Sequence, residues 1–248
     1  MSLKRLDEAL LERGLCASRE KAKRAVLAGT VRINDRRAEK ASQSVKESDT
    51  LSVDQPERFV SRGGHKLEHA VNHFQIDLRE RLAIDLGAST GGFTDCLLQR
   101  GVKKVYSVDV GHGQLAWKLR QDPRVVVMEK TNARELTSDR FPPPFELVDI
   151  VVIDCSFISL QKLLGTAVAL LKRSGKIVAL LKPQFEAGKA EVDKGKGVIQ
   201  DPKIHERVIA ELKQFVEAIP NLLWQAVTES PLLGPAGNKE FLVLLEKN

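Results

Sequence analysis

From Phe59 onward, short apolar strand-like runs alternate with amphipathic helical stretches, and this alternation limits the fold more than any other property of the chain. The strand-like runs are 82–86, 105–110, 125–128, 150–154, 176–181, 222–227 and 241–245. Helical spacing of apolar residues recurs over 66–74, 93–100, 160–171 and 204–219. A parallel strand pair needs a crossover, usually a helix, so the pattern predicts an α/β fold with a doubly wound sheet. Ligands of such sheets gather beyond the C-terminal ends of the strands. No helix separates the last two runs, which predicts an antiparallel pair at one edge and a seven-stranded mixed sheet in total. Residues 183–201 contain Gly188, Gly195 and Gly197 and show little periodicity, so they read as a long loop, either a functional lid or contact segment or plain surface chain.

Residues 1–54 have a different character. Leu6, Ala9 and Leu10 lie at helical spacing before Gly14, and Ser18 is placed to cap a second helix carrying Ala22, Ala25 and Val26 and closed by Gly29. Val31 and Ile33, an Asn34-Asp35 turn, then Leu51 and Val53 read as short strands. The expected organisation is therefore a small α+β module at 1–54, a linker at 55–60 and the α/β domain at 61–248; the full 248 residues suit one or two domains. The chain's formal charge is +6, and Arg19 to Lys40 alone hold eight basic against three acidic residues, five net positive charges. A charge run of this kind is often only a solvated face. The ordered string Arg5-Leu6-Asp7, Gly14-Leu15, Ser18-Arg19, Ala22, Gly29, Val31 and Asn34 nevertheless resembles the S4-type RNA-binding domain. That resemblance implies that Arg5, Arg19, Lys21, Lys23, Arg24, Arg32, Arg36 and Arg37 meet RNA phosphates, with Arg62 joining them from the second domain.

The first strand of the second domain runs into Asp85-Leu-Gly87-Ala-Ser89-Thr90-Gly91-Gly92-Phe93. An acidic strand end followed by a glycine-rich turn into a helix is a nucleotide-type site, because glycine permits close backbone approach. The spacing is neither the dinucleotide fingerprint nor a P-loop. Asp85 suits a cationic ligand such as the amino acid and sulfonium part of S-adenosyl-L-methionine better than a pyrophosphate. Asp109, 24 residues further on, is placed to accept ribose hydroxyls, and Asn132 to line the adenine. A tight strand-to-helix connection and a capping Asp109 are the plain alternatives.

Asp154 and Lys182 end neighbouring strands, which sets an Asp beside a Lys over the same crevice, as a structural ion pair or a catalytic one. With Lys66 and Glu240 they match in order and setting the Lys-Asp-Lys-Glu tetrad of the FtsJ-like ribose 2′-O-methyltransferases, which they resemble. The segments Val60-Ser61-Arg62-Gly63-Gly64-His65-Lys66-Leu67, Asp154-Cys155-Ser156-Phe157-Ile158-Ser159-Leu160 and Lys182-Pro183-Gln184-Phe185 are similar to the TlyA family almost across the chain. The resemblance implies a Rossmann-like class I methyltransferase domain that uses S-adenosyl-L-methionine to methylate the 2′-OH of cytidine in ribosomal RNA, free or in ribosomal subunits. It leaves open whether Lys182 acts as base or as a charged stabiliser of the alkoxide. Module and last strand reach nearly to both termini, which favours large-subunit RNA, since family members that modify both subunits carry extensions. A catalytically inactive assembly factor is the competing reading. The family's haemolysin label has little physical support, since the longest apolar runs have five residues. Cys16, Cys96 and Cys155 are too scattered for a disulfide or zinc framework and read as reduced thiols of a cytoplasmic protein; a monomer is expected. His65, His69 and His73 recur every four residues without acidic or Cys partners, so no metal is expected.

Overall fold

The computed structural model describes residues 3–54 and 57–248. Gln55 and Pro56, the first residues of the expected linker, lie outside the described residues. The chain divides into two units, one ending at Arg58 and the other running from Phe59 to Asn248.

In the first unit, β1 (Leu3–Arg5) leads into α1 (Leu6–Glu12) and α2 (Arg19–Ala28), followed by β2 (Val31–Ile33), β3 (Arg36–Arg37), β4 (Ser44–Lys46) and β5 (Leu51–Val53). β1 pairs antiparallel with β4, and β3, β2 and β5 form a second antiparallel sheet in that order. Ser18 Oγ accepts from Lys21 N at 3.2 Å, and Gly29 ends α2 at φ 72°. Asn34 and Asp35 both have positive φ, the two-residue turn that matches hairpin twist. Leu6, Leu10, Ala22 and Val31 are fully buried and hold the helix pair on the strands.

In the second unit, α3 (Gly63–His73) precedes β6 (Leu82–Leu86), α4 (Gly92–Gln99), β7 (Lys104–Val108), α5 (Trp117–Arg120), β8 (Val125–Met128), β9 (Val148–Ile153), α6 (Gln161–Leu170) and β10 (Leu171–Leu181). α7 (Pro183–Glu186), α8 (Lys189–Lys194), α9 (Pro202–Glu217), β11 (Leu222–Glu229) and β12 (Phe241–Lys247) complete it. The seven strands order as β11-β12-β10-β9-β6-β7-β8. All neighbours from β10 to β8 are parallel, while β12 runs antiparallel to β10 and to the edge strand β11. This is the expected mixed sheet with its antiparallel edge pair. Alternate residues feed two cores: Ile84, Leu86, Val151 and Ile153 face α6 and α9, while Ala83, Val152 and Val178 face α3 and α4. Because β6 lies between β9 and β7, chain direction across the sheet reverses there, and the crevice opens at its C-terminal end.

Three expectations are corrected. The helix predicted to reach 171 stops at Leu170, and β10 starts at Leu171 rather than 176. Its register with β9 shifts between Leu171 and Lys176, across the polar Lys172-Arg173-Ser174-Gly175 stretch that hides the strand from a periodicity reading. α5 has four residues, too few to show a helical repeat. The loop expected over 183–201 contains α7 and α8, again too short to register as periodic. Among the described residues, no helix is long and apolar enough to cross a membrane.

Candidate active site

β10 delivers Lys182 as the residue before α7, and Pro183 fixes the turn that follows. β9 delivers Asp154 one residue past its end, where Asp154 N donates to Leu86 O at 3.0 Å. Lys182 Nζ reaches Asp154 Oδ1 at 2.6 Å and donates to Ser156 Oγ at 2.9 Å. Lys66 projects from α3, and Glu240 stands immediately before β12; Lys66 Nζ donates to Glu240 Oε2 at 2.5 Å. A side chain at Gly234 would lie 2.5 Å from Glu240 Oε1, so glycine leaves the room that Glu240 takes. Asn238, itself buried, accepts from Ile199 N at 2.8 Å and donates to Gly197 O at 2.9 Å, tying the end of the 183–201 segment to the Glu240 turn. All four charged side chains line one cavity of about 290 Å³, together with Ser61, Arg62 and the glycine loop.

A second cavity, of about 450 Å³, shares Gly87, Ser89, Asp154 and Ser156 with the first. Asp109 and Asn132 line it, along with Gln114, Phe157 and Ile158, and no Lys or Arg does. Asp109 accepts from Ser89 N at 2.8 Å and from Gly111 N at 2.7 Å, so the cap it makes and its position in the wall coexist. Gly87, Ser89, Thr90, Gly92 and Phe93 line the first cavity. Gly87 has φ 85°, and a Cβ there would lie 2.6 Å from the Asp154 carbonyl oxygen; no other residue allows β6 and β9 to end this close together.

Two expected residues lie outside both walls. Gly91 caps α4 at φ 98°, and the space over it is filled by Leu115 and Leu119. Asp85 is fully buried beneath the loop, where Thr94 Oγ1 donates to its Oδ2 at 2.7 Å and its Oδ1 has no partner among the described residues. Burial first, and then the nearby Asp154 charge, push the Asp85 carboxyl up to about 7, against the opposing Thr94 bond. Burial pushes the neighbouring Cys155 thiol up to about 12, which disfavours its thiolate.

Sequence reasoning missed Ser61, Ser156 and Phe157. The first two carry no pattern of their own. Phe157 has a signal only in the structure: it is 90% exposed, has φ 64°, and its ring centroid lies 5.2 Å from that of Phe185. Glu186 holds this loop in place, accepting from Ser159 Oγ at 2.6 Å and Leu160 N at 2.7 Å. The rings of His69 and His73 stack at 5.8 Å, and among the described residues no three His, Cys, Asp or Glu side chains are grouped to hold a metal.

In the first unit, all eight expected basic residues are exposed. Arg5 and Arg19 both bind buried Asp7 at 3.1 Å, Arg24 binds Glu20 at 2.8 Å and Arg32 binds Asp54 at 2.8 Å. Burial pushes Asp7 up, but the bonds from Arg5 and Arg19 outweigh it and hold its carboxyl below the usual range. Lys21, Lys23, Arg36 and Arg37 have no carboxylate partner among the described residues, and Arg36 and Arg37 line an open groove with Lys40. Arg62 is exposed at the mouth of the first cavity in the second unit.

Comparison with known proteins joins these two halves. Residues 59–247 match the FtsJ-like methyltransferase family and residues 4–51 match the S4 domain. Bacillus subtilis YqxC, provisionally named an rRNA methyltransferase, is 47% identical over 242 residues, 97% of this chain and 85% of that protein. The 16S/23S rRNA (cytidine-2′-O)-methyltransferase TlyA of Mycobacterium tuberculosis is 45% identical over 245 residues, 97% of this chain and 89% of its own length. A solved structure from Streptococcus thermophilus, provisionally named a hemolysin, superposes with a TM-score of 0.74 at 42% identity, covering 100% of this chain and 90% of that one. Matched over nearly its whole length in both parts, the chain belongs to the FtsJ-like methyltransferases and, among them, to the TlyA proteins that carry an S4 domain.

Proposed function

We propose that the protein transfers a methyl group from S-adenosyl-L-methionine to the ribose 2′-OH of a cytidine in ribosomal RNA, with large-subunit RNA the favoured substrate. The observation that carries this reading is the convergence of two ion pairs, the buried Lys66 with Glu240 and the buried Lys182 with half-buried Asp154, on a cavity that adjoins the glycine-loop cavity. Family membership and the name of the 45% identical relative support the substrate class.

The residues fit the cofactor. The second cavity has carboxylates and amides but no cation in its wall, which suits a nucleoside and opposes a pyrophosphate. Beneath the loop, the unpartnered Asp85 Oδ1 supplies negative potential for a cationic group. Asp109 would hold the ribose and Asn132 would flank the base; Gly87, Ser89, Thr90, Gly91, Gly92 and Phe93 shape the loop. When bound, S-adenosyl-L-methionine supplies a methyl group on positively charged sulfur, open to attack by an oxygen nucleophile.

The protein's own groups handle the hydroxyl. Lys182 Nζ receives the 2′-OH and takes or shares its proton, while Asp154 orients the amine. Lys66, fixed by Glu240, adds positive charge where the oxygen becomes anionic. The exposed Phe157 ring offers a stacking face for the target base. Residues 1–54 dock on folded RNA through phosphates, with Lys21, Lys23, Arg36 and Arg37 as the cations most available, Arg5, Arg19, Arg24 and Arg32 beside them, and Arg62 at the reaction cavity. A protein acting on ribosomal RNA would work in the cytoplasm, and that location belongs to this reading.

The test is transfer of labelled methyl from S-adenosyl-L-methionine to purified small and large ribosomal subunits, with the modified nucleotide mapped. A 2′-O-methylcytidine in large-subunit RNA is expected. Binding of subunits without any transfer would favour the assembly-factor reading instead.

A further inference from the structure

Ser156 belongs to no part of the tetrad, yet its Oγ accepts a hydrogen from Lys182 Nζ at 2.9 Å. It also stands in the wall common to both cavities. The tetrahedral geometry of Nζ gives this bond a consequence. Asp154 Oδ1 at 2.6 Å takes one direction from Nζ, and Ser156 Oγ takes a second. With one acceptor, the amine is free to turn about its terminal carbon–nitrogen bond, and the remaining positions sweep a cone. With two, the torsion is fixed and one direction remains. As a neutral amine Lys182 then presents its lone pair along that direction; as an ammonium it presents its third hydrogen. A serine suits this task better than a second carboxylate would, because it fills an acceptor position without placing another negative charge beside an oxygen that becomes anionic. Lys182 is only 8% exposed, so few waters compete for its hydrogens.

We propose that Ser156 is a positioning residue for methyl transfer: by holding the second hydrogen of the Lys182 amine, it aims the third position of Nζ at the hydroxyl to be methylated. The inference rests on the reading of Lys182 as the reacting amine and adds to it a residue outside the four charged ones.

The test compares wild type with Ser156→Ala and Ser156→Thr, using thermal melting to verify folding. The first readout needs no catalysis. In protein with 15N-labelled lysine, rotation of the Lys182 Nζ group about its terminal carbon–nitrogen bond, read from 15N relaxation and assigned with Lys182→Arg, is expected to be slow in wild type and Ser156→Thr and faster in Ser156→Ala, with Lys66 unchanged. The second is kinetic: Ser156→Ala is expected to lower kcat about ten- to a hundredfold, with the KM for ribosomal subunits and the Kd for S-adenosyl-L-methionine within about threefold of wild type. Ser156→Thr, which keeps the hydroxyl, restores most of kcat. Rotation of Nζ that stays slow in Ser156→Ala, or a loss that falls on KM or Kd rather than kcat, would overturn the proposal. Should wild type methylate no RNA, the functional reading fails, and the lysine spectra alone decide the role of Ser156.

Discussion

Lys66 and Glu240, separated by 174 positions in the sequence, meet at 2.5 Å with side chains 10% and 1% exposed. The pair links α3, ahead of the first strand of the sheet, to the turn before the last, and so closes, from both ends of the second unit, the cavity that Lys182 and Asp154 also line. A buried charge that loses its partner costs far more than the pair contributes as a whole. Glu240→Ala is therefore expected to destabilise the second unit by about 3 kcal/mol in urea unfolding, while Lys66→Met combined with Glu240→Leu recovers most of that loss. Both forms are expected to lose methyl transfer. An additive double mutant would show that the two residues do not act as a unit.

Asp85 gives a pH dependence whose sign follows from burial. Its carboxyl is pushed up to about 7, so the folded protein holds this proton more tightly than the unfolded chain. The stability due to this group is full in acid and declines as pH rises from about 4 to about 7. Asp85→Asn removes that decline and is expected to raise Tm above wild type at pH 8.

The same ionisation acts on the cofactor in the opposite direction. S-adenosyl-L-methionine is expected to bind wild type more tightly at pH 8 than at pH 6, by up to about tenfold, in isothermal titration. Binding to Asp85→Asn is expected to be weaker and flat over that range. A wild-type affinity independent of pH would remove Asp85 from the cofactor account.

Most of the fold was legible because the strands of the second unit are short apolar runs and its longer helices carry a clear repeat. Asp154 and Lys182 were legible from residue type at strand ends, whereas Lys66, on a helix, and Glu240 were read only from the family resemblance. Periodicity failed where elements were too brief, as in α5, α7 and α8, or where a polar bulge interrupted a strand, as at Lys172 to Gly175 in β10. Asp85 and Gly91 were read as wall residues because a strand end and a glycine loop mark a crevice without saying which side chains face it. Burial of Asp85 and the packing of Leu115 and Leu119 over Gly91 depend on contacts between distant segments. Ser156 and Phe157 lie in the 154–160 segment that carries the family resemblance, but no sequence pattern assigned either a role, since a serine and an aromatic after a strand occur in any loop.

In the first unit, available cations are expected to matter more than paired ones. Charge reversal at Lys21, Lys23 or Arg36 should weaken binding to ribosomal RNA and lower the slope of log K against log salt by about one per lost phosphate contact. Arg24, already bonded to Glu20, should contribute less. Cofactor affinity is expected to stay unchanged in all of these variants, as titration with S-adenosyl-L-methionine would check.

The central claim concerns Lys182, and single-turnover methyl transfer to large ribosomal subunits by Lys182→Ala tests it most directly. Transfer is expected to fall by about a thousandfold or more, with the Kd values for subunits and S-adenosyl-L-methionine within about threefold of wild type. Near-normal transfer by this variant would contradict the account.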